Sequence, residues 1–530
     1  MDVTVLYWAI AFLPIILLVV LMAFFRWSTT RSAGVALLVT VVSSVFIFGA
    51  DLHLIIFESL KGCWGALTVF YIIFPAILLY AVISESDSIA VINTTLQMLS
   101  PNELFRILTV GWVFVGFLQG VTGFGVPVAI GVPVLIALGV RPMKAVVVAL
   151  LGQAWGNTFG TLAVAWDVLE DISGITGQEL LVTAGYAAVL LWLLNLVDGL
   201  VICWAYGKWE GIRRGFVFVA VVSLIQGGGE LLLTRHNASI SAFVPATLSV
   251  LGVLALSRLP MYHKAYVCEE SKMMDPAARP DFSAAVPVRK SRVLYFAPYI
   301  VLIVVTVLML VVKPINELLS RWSVGFAFPE TSTAYGVVNA ATEKYSPFYP
   351  LVDSGTVLLV TCIISYVILK CAGLLGKGAE KNILRDTVKK VKPVAMSLVI
   401  LLVISRLMSG SGQTMLLAQG ITRVMGEWYI LFAGVVGTIG TFITGSNMSS
   451  NILFTGVQTS VAESLGISAA PLLAAQTAGA SVGSMIAPSK IILGTTAGGI
   501  AEKDGEVMAY LLPIAVGVIV LIGTISLLLF

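Results

Sequence analysis

The sequence predicts an all-α polytopic membrane protein with about twelve transmembrane spans and two re-entrant hairpins. Of the 530 residues, 58% are hydrophobic and only 11% are charged, whereas soluble domains carry about 25% charged residues. The mean hydropathy is +1.00, and the apolar residues fall into runs of membrane-spanning length. A bilayer is therefore the expected environment of this chain, and its net charge of +3 gives no indication of a nucleic-acid partner.

Twelve apolar runs are long enough to cross a membrane, on the rule that about 20 residues span the hydrocarbon core. The first run follows no basic segment and is itself long enough to span, so it predicts a retained helix rather than a cleaved signal peptide. The twelve predicted spans are 5–25, 33–50, 62–84, 143–166, 180–205, 215–233, 240–258, 293–312, 351–370, 393–408, 470–500 and 507–530.

Two further apolar stretches, 104–140 and 428–466, are interrupted by glycine or polar clusters. Their arms are ~15 residues long, about 22 Å of helix, against a hydrocarbon core of about 30 Å. Each stretch therefore predicts a hairpin that enters and leaves the membrane on one side. With the amino terminus outside, this topology places the basic segments 260–292 and 377–392 inside and the acidic loop 167–179 outside, in agreement with the positive-inside rule.

The two hairpins also resemble each other in sequence at a constant shift. The Leu-Gly-Val of 138–140 and the Leu-Gly-Ile of 465–467 are 465 − 138 = 327 positions apart. The same shift aligns Gly152 with Gly479. Because an odd number of predicted spans separates the hairpins, the second copy is expected to be an inverted repeat of the first.

The tip of the second hairpin is unusually polar for a membrane segment. Between two apolar runs it places Thr444, Ser446, Asn447, Ser449, Ser450 and Asn451. In lipid such a cluster is costly unless it lines a polar cavity or binds a ligand. Small residues can instead serve close helix packing, which is the preferred interpretation of Gly437, Gly440 and Gly498. Packing does not require two amides beside three hydroxyls, so the tip itself is predicted to be functional.

Each hairpin is followed by a span that is predicted to break near its middle. Residues 152–160 interrupt the span 143–166, and residues 476–490, which contain Pro488, interrupt the span 470–500. Broken helices expose N-terminal N–H groups that attract a carboxylate and C-terminal carbonyls that can coordinate a cation. Four such ends meeting at one level predict a binding site for a small organic anion.

The predicted substrate-binding residues come from both tips and both broken spans. They are Gln119, Gly120, Thr122, Gly123, Gly125, Asn157, Thr158, Ser446, Asn447, Ser449, Ser450, Asn451, Gln476, Thr477, Ser481, Ser484 and Lys490. Lys490 is the charge expected to touch or balance the anion, unless its side chain snorkels to the membrane interface. No metal or other cofactor is expected, because the five cysteines and three histidines are scattered without metal-ligand spacing.

Asp198 and Glu230 lie in or near predicted spans and are the candidates for a coupling proton. Either could instead be an interfacial charge paired with Arg213, Arg214 or Arg235. A membrane-embedded enzyme or a proton-pumping subunit would need a His/Asp cluster or regularly placed mid-span Lys and Glu residues, which the sequence lacks. The sequence therefore favours a transporter over an enzyme.

Several segments resemble the bacterial L-lactate permease (lactate/glycolate transporter) family. They are FLQGVTGFGVPVAI at 117–130, TGSNMSSNILF at 444–454 and MIAP at 485–488, with weaker similarity at 198–199 and 333–335. The resemblance covers most of the chain and implies proton-coupled uptake of small 2-hydroxy monocarboxylates across the bacterial cytoplasmic membrane. It also implies an elevator-type arrangement, in which a scaffold holds a mobile transport domain, often in a homodimer.

On this arrangement the chain divides into seven segments. They are 1–100, scaffold spans of the first repeat; 101–166, first hairpin and broken helix of the transport domain; 167–259, connecting spans; 260–292, a cytoplasmic linker; 293–427, scaffold spans of the second repeat; 428–500, second hairpin and broken helix of the transport domain; and 501–530, the final span.

Three positions depart from the family pattern. Gln119 replaces the glutamate of the family motif Phe-Leu-Glu-Gly, and Asn447 replaces the aspartate of Thr-Gly-Ser-Asp. Ser484 replaces the lysine that precedes Met-Ile-Ser-Pro in the family. Two acids are thus amides, which cannot carry a proton near neutral pH, and Lys490 is a candidate replacement for the lost lysine. Two interpretations stay open: a proton-coupled carrier of lactate or glycolate, and a sodium-coupled carrier of a different organic anion such as a sulfonate or dicarboxylate.

Overall fold

The fold is mostly helical, as the composition predicts. The structure is a computed structural model that describes residues 5–23, 25, 27–88, 91, 95, 98–123, 125–278, 290–500 and 503–529. Within these residues eleven helices are long and apolar enough to cross a membrane, or twelve if the bent pair Pro142–Asn157 and Gly160–Ser173 counts as one span. Residues 279–289 of the predicted linker lie outside the described residues.

The first half of the chain consists of helices and short connections. The helices are α1 (Val5–Ala23), α2 (Thr29–Phe46), α3 (Leu52–Glu85), α4 (Glu103–Leu108), α5 (Val115–Val121), α6 (Val126–Ala137), α7 (Pro142–Ala154), α8 (Gly160–Ser173), α9 (Gly177–Ser223), α10 (Gly229–Thr234), α11 (Ala238–Ser241), α12 (Phe243–Leu256) and α13 (Pro260–His263). The π-helical turns Thr109–Phe114 and Leu224–Gly228 and the 3-10 turn Trp155–Asn157 continue α4, α9 and α7, respectively.

The second half combines helices with four short strands. The helices are α14 (Arg292–Thr306), α15 (Lys313–Leu319), α16 (Ser354–Cys371), α17 (Ala379–Gly410), α18 (Gln413–Met425), α19 (Ile430–Thr444), α20 (Asn447–Leu465), α21 (Ala470–Ile486), α22 (Pro488–Ala497) and α23 (Asp504–Leu529). The strands are β1 (Val324–Phe328), β2 (Thr331–Ser332), β3 (Val338–Asn339) and β4 (Thr342–Phe348). β1 pairs antiparallel with β4, and β2 pairs antiparallel with β3.

These strands correct the expectation of an all-α protein. They are too short to form an apolar run of membrane-spanning length, so the hydropathy of the sequence does not reveal them. Trp64 of α3 packs edge-on against Phe326 and Phe348, with ring centroids 4.8 and 6.4 Å apart, which anchors β1 and β4 on the helices. The amphipathic helix α18 is also absent from the predicted spans, because its polar face breaks up the apolar pattern.

α9 consists of two antiparallel arms that meet at a sharp reversal. The backbone leaves the helical conformation at Gly207 and at Lys208, where φ is 53° and ψ is −135°. Beyond the reversal, Gly215 packs against Cys203 of the first arm. The two arms coincide with the predicted spans at 180–205 and 215–233.

Helix starts recur at the same shift of 327 positions that the sequence shows. α3 and α17 begin at Leu52 and Ala379, and α4 and α19 begin at Glu103 and Ile430, with 379 − 52 = 327 and 430 − 103 = 327. α9 and α23 keep this spacing, whereas α7 and α21, and α8 and α22, are displaced by one further position. This regularity supports a duplicated architecture, and the inversion of the second copy stays a prediction.

The helices pack in two main groups. In one group, α3 packs against α16 and α17, and α2 packs against α17. In the other, α8 packs against α20, α6 against α22, and α7 and α9 against α21. Elements from the first and second halves of the chain therefore interlock within both groups.

A buried ion cluster joins α3 to α17. Glu58 Oε1 accepts a hydrogen bond from Lys61 Nζ at 2.7 Å, and Glu58 Oε2 accepts one from Arg406 Nη2 at 2.7 Å. Both cations also lie over the ring of Tyr345 in β4. Because removing one partner of a buried pair costs about 3–5 kcal/mol, this cluster fixes the two helices and β4 relative to one another.

The second broken span breaks near the end of the predicted interruption 476–490. α21 runs without interruption through the polar residues 476–484, and the backbone first becomes extended at Ala487, where φ is −63° and ψ is 124°. Pro488 then starts α22. The polar residues therefore lie on a continuous helix, and only the proline ends it.

Gly437 and Gly440 serve close helix packing, in agreement with the interpretation that the sequence favours. A Cβ atom on Gly437 would lie 1.9 Å from Gln476 O, and one on Gly440 would lie 2.3 Å from Ser450 Oγ. Real Cβ atoms do not approach other atoms so closely, so only glycine allows α19 to lie directly against α20 and α21.

Candidate functional site

Both hairpin tips are glycine turns. Gly123 and Gly125, between α5 and α6, have φ values of +54° and +81°, and Gly445, between α19 and α20, has a φ value of +75°. Glycine adopts these angles without steric cost, so the chain can fold back at both places. The two arms on either side of each turn pack against each other. Re-entry of either hairpin through one membrane face stays a prediction.

A small cavity lies where the two tips meet the first broken span. Its volume is about 60 Å³, and it is lined by Gln119, Gly123, Asn157, Gly160, Thr161, Val164, Ala165, Gly445, Ser446, Asn447, Met448 and Lys490. A cavity needs roughly 10–15 Å³ to hold one water molecule. This cavity therefore has room for a ligand of several non-hydrogen atoms, contacted by residues from both halves of the chain.

Lys490 brings an unbalanced positive charge to the cavity. Its Nζ lies 2.5 Å from Ser484 Oγ, 3.1 Å from Asn157 Oδ1 and 3.5 Å from Gln153 Oε1. All three partners are neutral, and Lys490 forms no ion pair in the described part of the chain. The residue is only 7% exposed, so its side chain does not reach an interface. A buried ammonium group without a counter-ion is costly, and an anionic ligand would supply the missing charge.

The same lysine stands beside the position where the family pattern has its lysine. The break at Ala487 allows the side chain of Lys490 to fold back toward α21 and reach Ser484 Oγ. Gln153 Nε2 lies 3.4 Å from the same oxygen. The ammonium group of Lys490 thus lies beside Ser484, although Lys490 comes six residues later in the sequence.

A hydrogen-bonded layer ties the second tip to both broken spans. Asn447 Nδ2 donates to Thr158 Oγ1 at 3.1 Å, to Thr477 O at 3.0 Å and to Ser481 Oγ at 2.9 Å. Thr477 Oγ1 donates to Asn447 Oδ1 at 3.3 Å. The amide of Asn447 is thus fully used by the protein, and its role in the structure is to position the start of α20.

Asn451 continues this layer one turn further along α20. Its Nδ2 donates to Ala165 O at 2.8 Å and to Thr477 Oγ1 at 3.1 Å, and its Oδ1 accepts from Gln476 Nε2 at 3.0 Å. Asn451 and Gln476 are both fully buried. The layer therefore holds α8, α20 and α21 at fixed distances behind the cavity.

Gln119 presents an unused acceptor at the cavity. Its Nε2 donates to Asn157 Oδ1 at 3.4 Å, whereas its Oε1 has no hydrogen-bond partner among the described residues. The side chain is buried, and a buried acceptor without a donor costs about 1–3 kcal/mol. A hydroxyl group on a ligand could donate to this oxygen.

Three helix N-termini surround the cavity. Ser446 caps α20, and its Oγ accepts from Ser449 N at 3.3 Å. Gly160 and Thr161 of the first turn of α8 and Lys490 of the first turn of α22 line the same space. The first-turn N–H groups carry partial positive charge, so they add to the field of Lys490 and favour an anion.

The first turn of α8 has a strained backbone. Thr161, Leu162 and Ala163 have φ values of 52°, 54° and 69°, a left-handed turn that costs L-residues about 1–2 kcal/mol each. A Cβ atom on Gly123 would lie 2.3 Å from Thr161 Oγ1. The strained turn therefore sets the broken span directly against the first tip, and strain of this kind concentrates at functional sites.

Some of the predicted binding residues do not line the cavity. Thr122 and Ser450 donate their hydroxyls at 2.8 Å to the carbonyls of Leu118 and Gly437, so they serve their own helices or a neighbour. The residues that lie outside the cavity without belonging to the layer behind it are Gly120, Thr122, Gly125, Ser449 and Ser450.

The structure adds lining residues that the sequence analysis misses. They are Gly160, Thr161, Val164, Ala165, Gly445 and Met448, together with Gln153 in the layer around Lys490. Gly160, Gly445 and Gln153 stand inside the interrupted segments, where their turn chemistry or polarity could have identified them. The left-handed turn that brings Thr161 to the cavity leaves no signal in the sequence.

The two coupling candidates lie apart from the cavity. Asp198 and Glu230 are 0% and 1% exposed, so they are not interfacial charges. Arg213 and Arg214 instead pair with Glu210. Both acids are buried inside the helices that follow the first broken span.

Relatives of known name match nearly the whole chain. The family model of the L-lactate permeases matches residues 8–530, which confirms the resemblance. The L-lactate permease of Halalkalibacterium halodurans is 24% identical over 523 residues, covering 97% of this chain and 95% of that protein. Glycolate permease GlcA of Escherichia coli is 25% identical over 534 residues, covering 94% and 91%. The solved YdaH transporter of Alcanivorax borkumensis covers 86% of this chain and 84% of its own, with 14% identity and a TM-score of 0.44.

Proposed function

This chain belongs to the L-lactate permease family, and on that premise we propose that it carries small 2-hydroxy monocarboxylates, such as lactate and glycolate, by proton symport. Its relatives are permeases, so it is a transporter and not an enzyme. It is a multi-pass protein of the bacterial inner membrane. The cavity between the hairpin tips is the proposed substrate site.

The buried, unpaired ammonium group of Lys490 is the observation that carries this proposal. A monocarboxylate brings one negative charge, which balances one lysine. A dicarboxylate would leave a second charge in the same small cavity, where an unpaired charge is costly. The hydroxyls and amide oxygens around Lys490 already hold its other protons, so the site favours a small, singly charged anion.

The unpartnered acceptor of Gln119 is a reason to expect a substrate with a hydroxyl group on its second carbon. Gln119 lines the same cavity as Lys490, and its Oε1 is buried without a hydrogen-bond partner among the described residues. A carboxylate placed at Lys490 leaves the neighbouring 2-hydroxyl to donate to Gln119 Oε1. Sites built to hydrogen-bond a substrate group reject analogues that lack it, so the pair would select lactate and glycolate over propionate and acetate.

Transport then takes place by an elevator-type motion. The group of helices that holds the cavity, with its two re-entrant hairpins and two broken spans, moves against the group of α2, α3, α16 and α17. α3 and α17 pack mainly against each other, and their contacts with α8 and α20 of the other group are smaller, which supports this arrangement. A disulfide engineered between the groups is expected to stop uptake, whereas one within either group is not.

Counterflow of labelled lactate in proteoliposomes tests the function. Lactate is expected to exchange, glycolate to compete, and an imposed proton gradient to drive accumulation, while a sodium gradient alone has no effect. Accumulation driven by sodium alone, or stronger competition by a sulfonate or a dicarboxylate than by glycolate, would replace the proposal with the sodium-coupled alternative.

A further inference from the structure

A second polar region lies inside the helices of 177–256, separate from the cavity. Asp198 is on the first arm of α9, and Glu230 is on α10. None of their four carboxyl oxygens has a hydrogen-bond partner in the described structure, and neither group forms an ion pair there. An ionised carboxylate is very costly to bury without partners. Both groups are therefore best accommodated as protonated acids.

Hydrogen-bonded amides lie between the two acids along the hairpin. Asn195 Nδ2 donates to Gln226 Oε1 at 2.8 Å, and Gln226 Nε2 donates to Ser249 Oγ at 3.0 Å. Asn195 lies three positions before Asp198 and Gln226 four positions before Glu230, spacings that place side chains on one helix face. We name the set Asp198, Asn195, Gln226, Ser249 and Glu230 the polar seam.

The polar seam offers acceptors that match protonated acids. Asn195 Oδ1 is buried without a partner among the described residues, and Gln226 Oε1 has a second lone pair beside the bond from Asn195. A carboxylic acid has one O–H group to donate, whereas a carboxylate has none. The seam therefore fits a proton.

The two acids stand far apart along one helical hairpin. Gly199 packs against Val219 of the opposite arm, which places Asp198 on the order of 15 Å along the helix axis from Glu230. The π-helical turn Leu224–Gly228 precedes Glu230, and such turns are frequent at functional sites. The seam thus runs along the hairpin rather than forming a single compact site.

The helix that carries Glu230 packs against α11, which lines an acidic vestibule. α11, which packs against α10 and α8, contributes Ser239 to a cavity of about 280 Å³ that is also lined by Asp167, Glu170, Asp171 and Asp353. Burial raises the pKa of Asp353 to about 6, so this carboxyl group exchanges protons close to neutral pH. By the charge pattern of the loops, this end is predicted to face outside.

The end at Asp198 leads to other titratable groups. The buried thiol of Cys203 follows on the same arm, and then Tyr206, whose hydroxyl donates to Glu103 Oε2 at 2.7 Å. Arg214, further along the hairpin, pairs with Glu210. Titratable groups are therefore present at both ends of the seam.

We propose that Glu230 and Asp198 bind and release the coupling proton, and that the polar seam is a proton path separate from the substrate cavity. The proposal rests on the proposed symport of a hydroxy acid. Starting from two protonated acids, Asp198 releases its proton inside, the proton of Glu230 passes along the seam through water to the Asp198 carboxylate, and Glu230 takes a new proton from the outer solution. Each carboxyl group returns to its starting state, so no other reactant is needed.

Two assays in proteoliposomes separate the seam from the cavity. Lactate counterflow at equal pH needs the cavity but no net proton movement, whereas accumulation driven by a proton gradient needs both. Asp198→Asn and Glu230→Gln are expected to keep counterflow and to lose gradient-driven accumulation. Glu210→Gln changes an exposed acid on the same hairpin and is the matched control, expected to keep both activities.

The outcomes are distinct. Full accumulation in both neutral variants, or loss of counterflow together with accumulation in folded protein, would overturn the proton path. Should a neutral variant fail to fold, Asp198→Glu and Glu230→Asp decide, because a shifted pH midpoint of uptake supports the path and an unchanged midpoint overturns it. Absence of lactate and glycolate counterflow in the parent protein would instead refute the proposed function.

Discussion

Two buried sites of positive charge in this protein differ in their partners. Lys61 and Arg406 share the carboxylate of Glu58, with both ion pairs at 2.7 Å. Lys490 is buried to a similar degree, yet only neutral oxygens surround it among the described residues. Depth of burial therefore does not separate Lys490 from the ion cluster, but the presence of a carboxylate partner does.

This difference separates a structural role from a binding role. The ion cluster of Glu58, Lys61 and Arg406 joins α3, α17 and β4, and each of its cations has a carboxylate partner. The unbalanced lysine lies at a cavity between two glycine turns and three helix N-termini, all of which favour negative charge. On the proposed function, the carboxylate of the substrate supplies the charge that balances Lys490.

The largest effect on stability is expected when the ion cluster loses its carboxylate. Glu58→Ala leaves two buried cations unpaired, so the free energy of unfolding should fall by about 3–5 kcal/mol. Thermal unfolding in detergent measures this. Glu463→Ala, which removes an exposed glutamate, is the control. Equal unfolding temperatures for the two variants would show that the ion cluster is not structural.

Lys490→Met is expected to weaken substrate binding without lowering stability. Removing an unpaired buried charge should leave the unfolding temperature unchanged or raise it. Loss of a charged hydrogen bond to the substrate removes about 1.5–3 kcal/mol, roughly a ten- to hundredfold increase in the KM for lactate. Counterflow kinetics measure this, with the exposed Lys377→Met as control. An unchanged KM would remove Lys490 from the substrate site.

Gln119→Met tests the smaller contribution of the hydroxyl contact. Losing one acceptor for the 2-hydroxyl should reduce the preference for lactate over propionate by about 1 kcal/mol, roughly fivefold. Competition of both acids against labelled lactate measures the preference. Gln458→Met is the matched control, since Gln458 is also buried with an unpartnered Oε1 but lies outside the cavity. The same loss in both variants would refute a specific contact.

The smallest effect is expected at a balanced but exposed pair. Lys370 and Glu380 form an ion pair in which both side chains are about half exposed, 53% and 51%. Solvent screens such a pair, so Lys370→Gln should change neither the unfolding temperature nor the KM for lactate. A clear loss of stability would mean that charge balance matters at the surface as well as in the interior.

The membrane class and much of the helix pattern could be predicted from the sequence, because long apolar runs have few alternatives in lipid. Glycine-rich interruptions also located both hairpin turns. The short strands of 324–348 could not be predicted, nor could the exact place of the break within 476–490. Short strands carry little periodicity, and Gly479 and Gly483 can either unwind a helix or, as in α21, allow close packing.

The candidate site was only partly readable from the sequence. Polar residue types identified Gln119, Asn157, Asn447 and Lys490, which the structure brings to one cavity. The sequence does not show which polar side chains face the cavity and which bond to a neighbouring helix, as Ser450 does. That distinction depends on helix rotation and on the left-handed turn at 161–163, both of which are set by tertiary packing.

Cryo-electron microscopy of the protein with lactate tests the central claim most directly. The account predicts density for lactate between the two glycine turns, with its carboxylate at hydrogen-bond distance from Lys490 Nζ and its hydroxyl toward Gln119 Oε1. Lactate bound at another place, with no density beside Lys490, would contradict it.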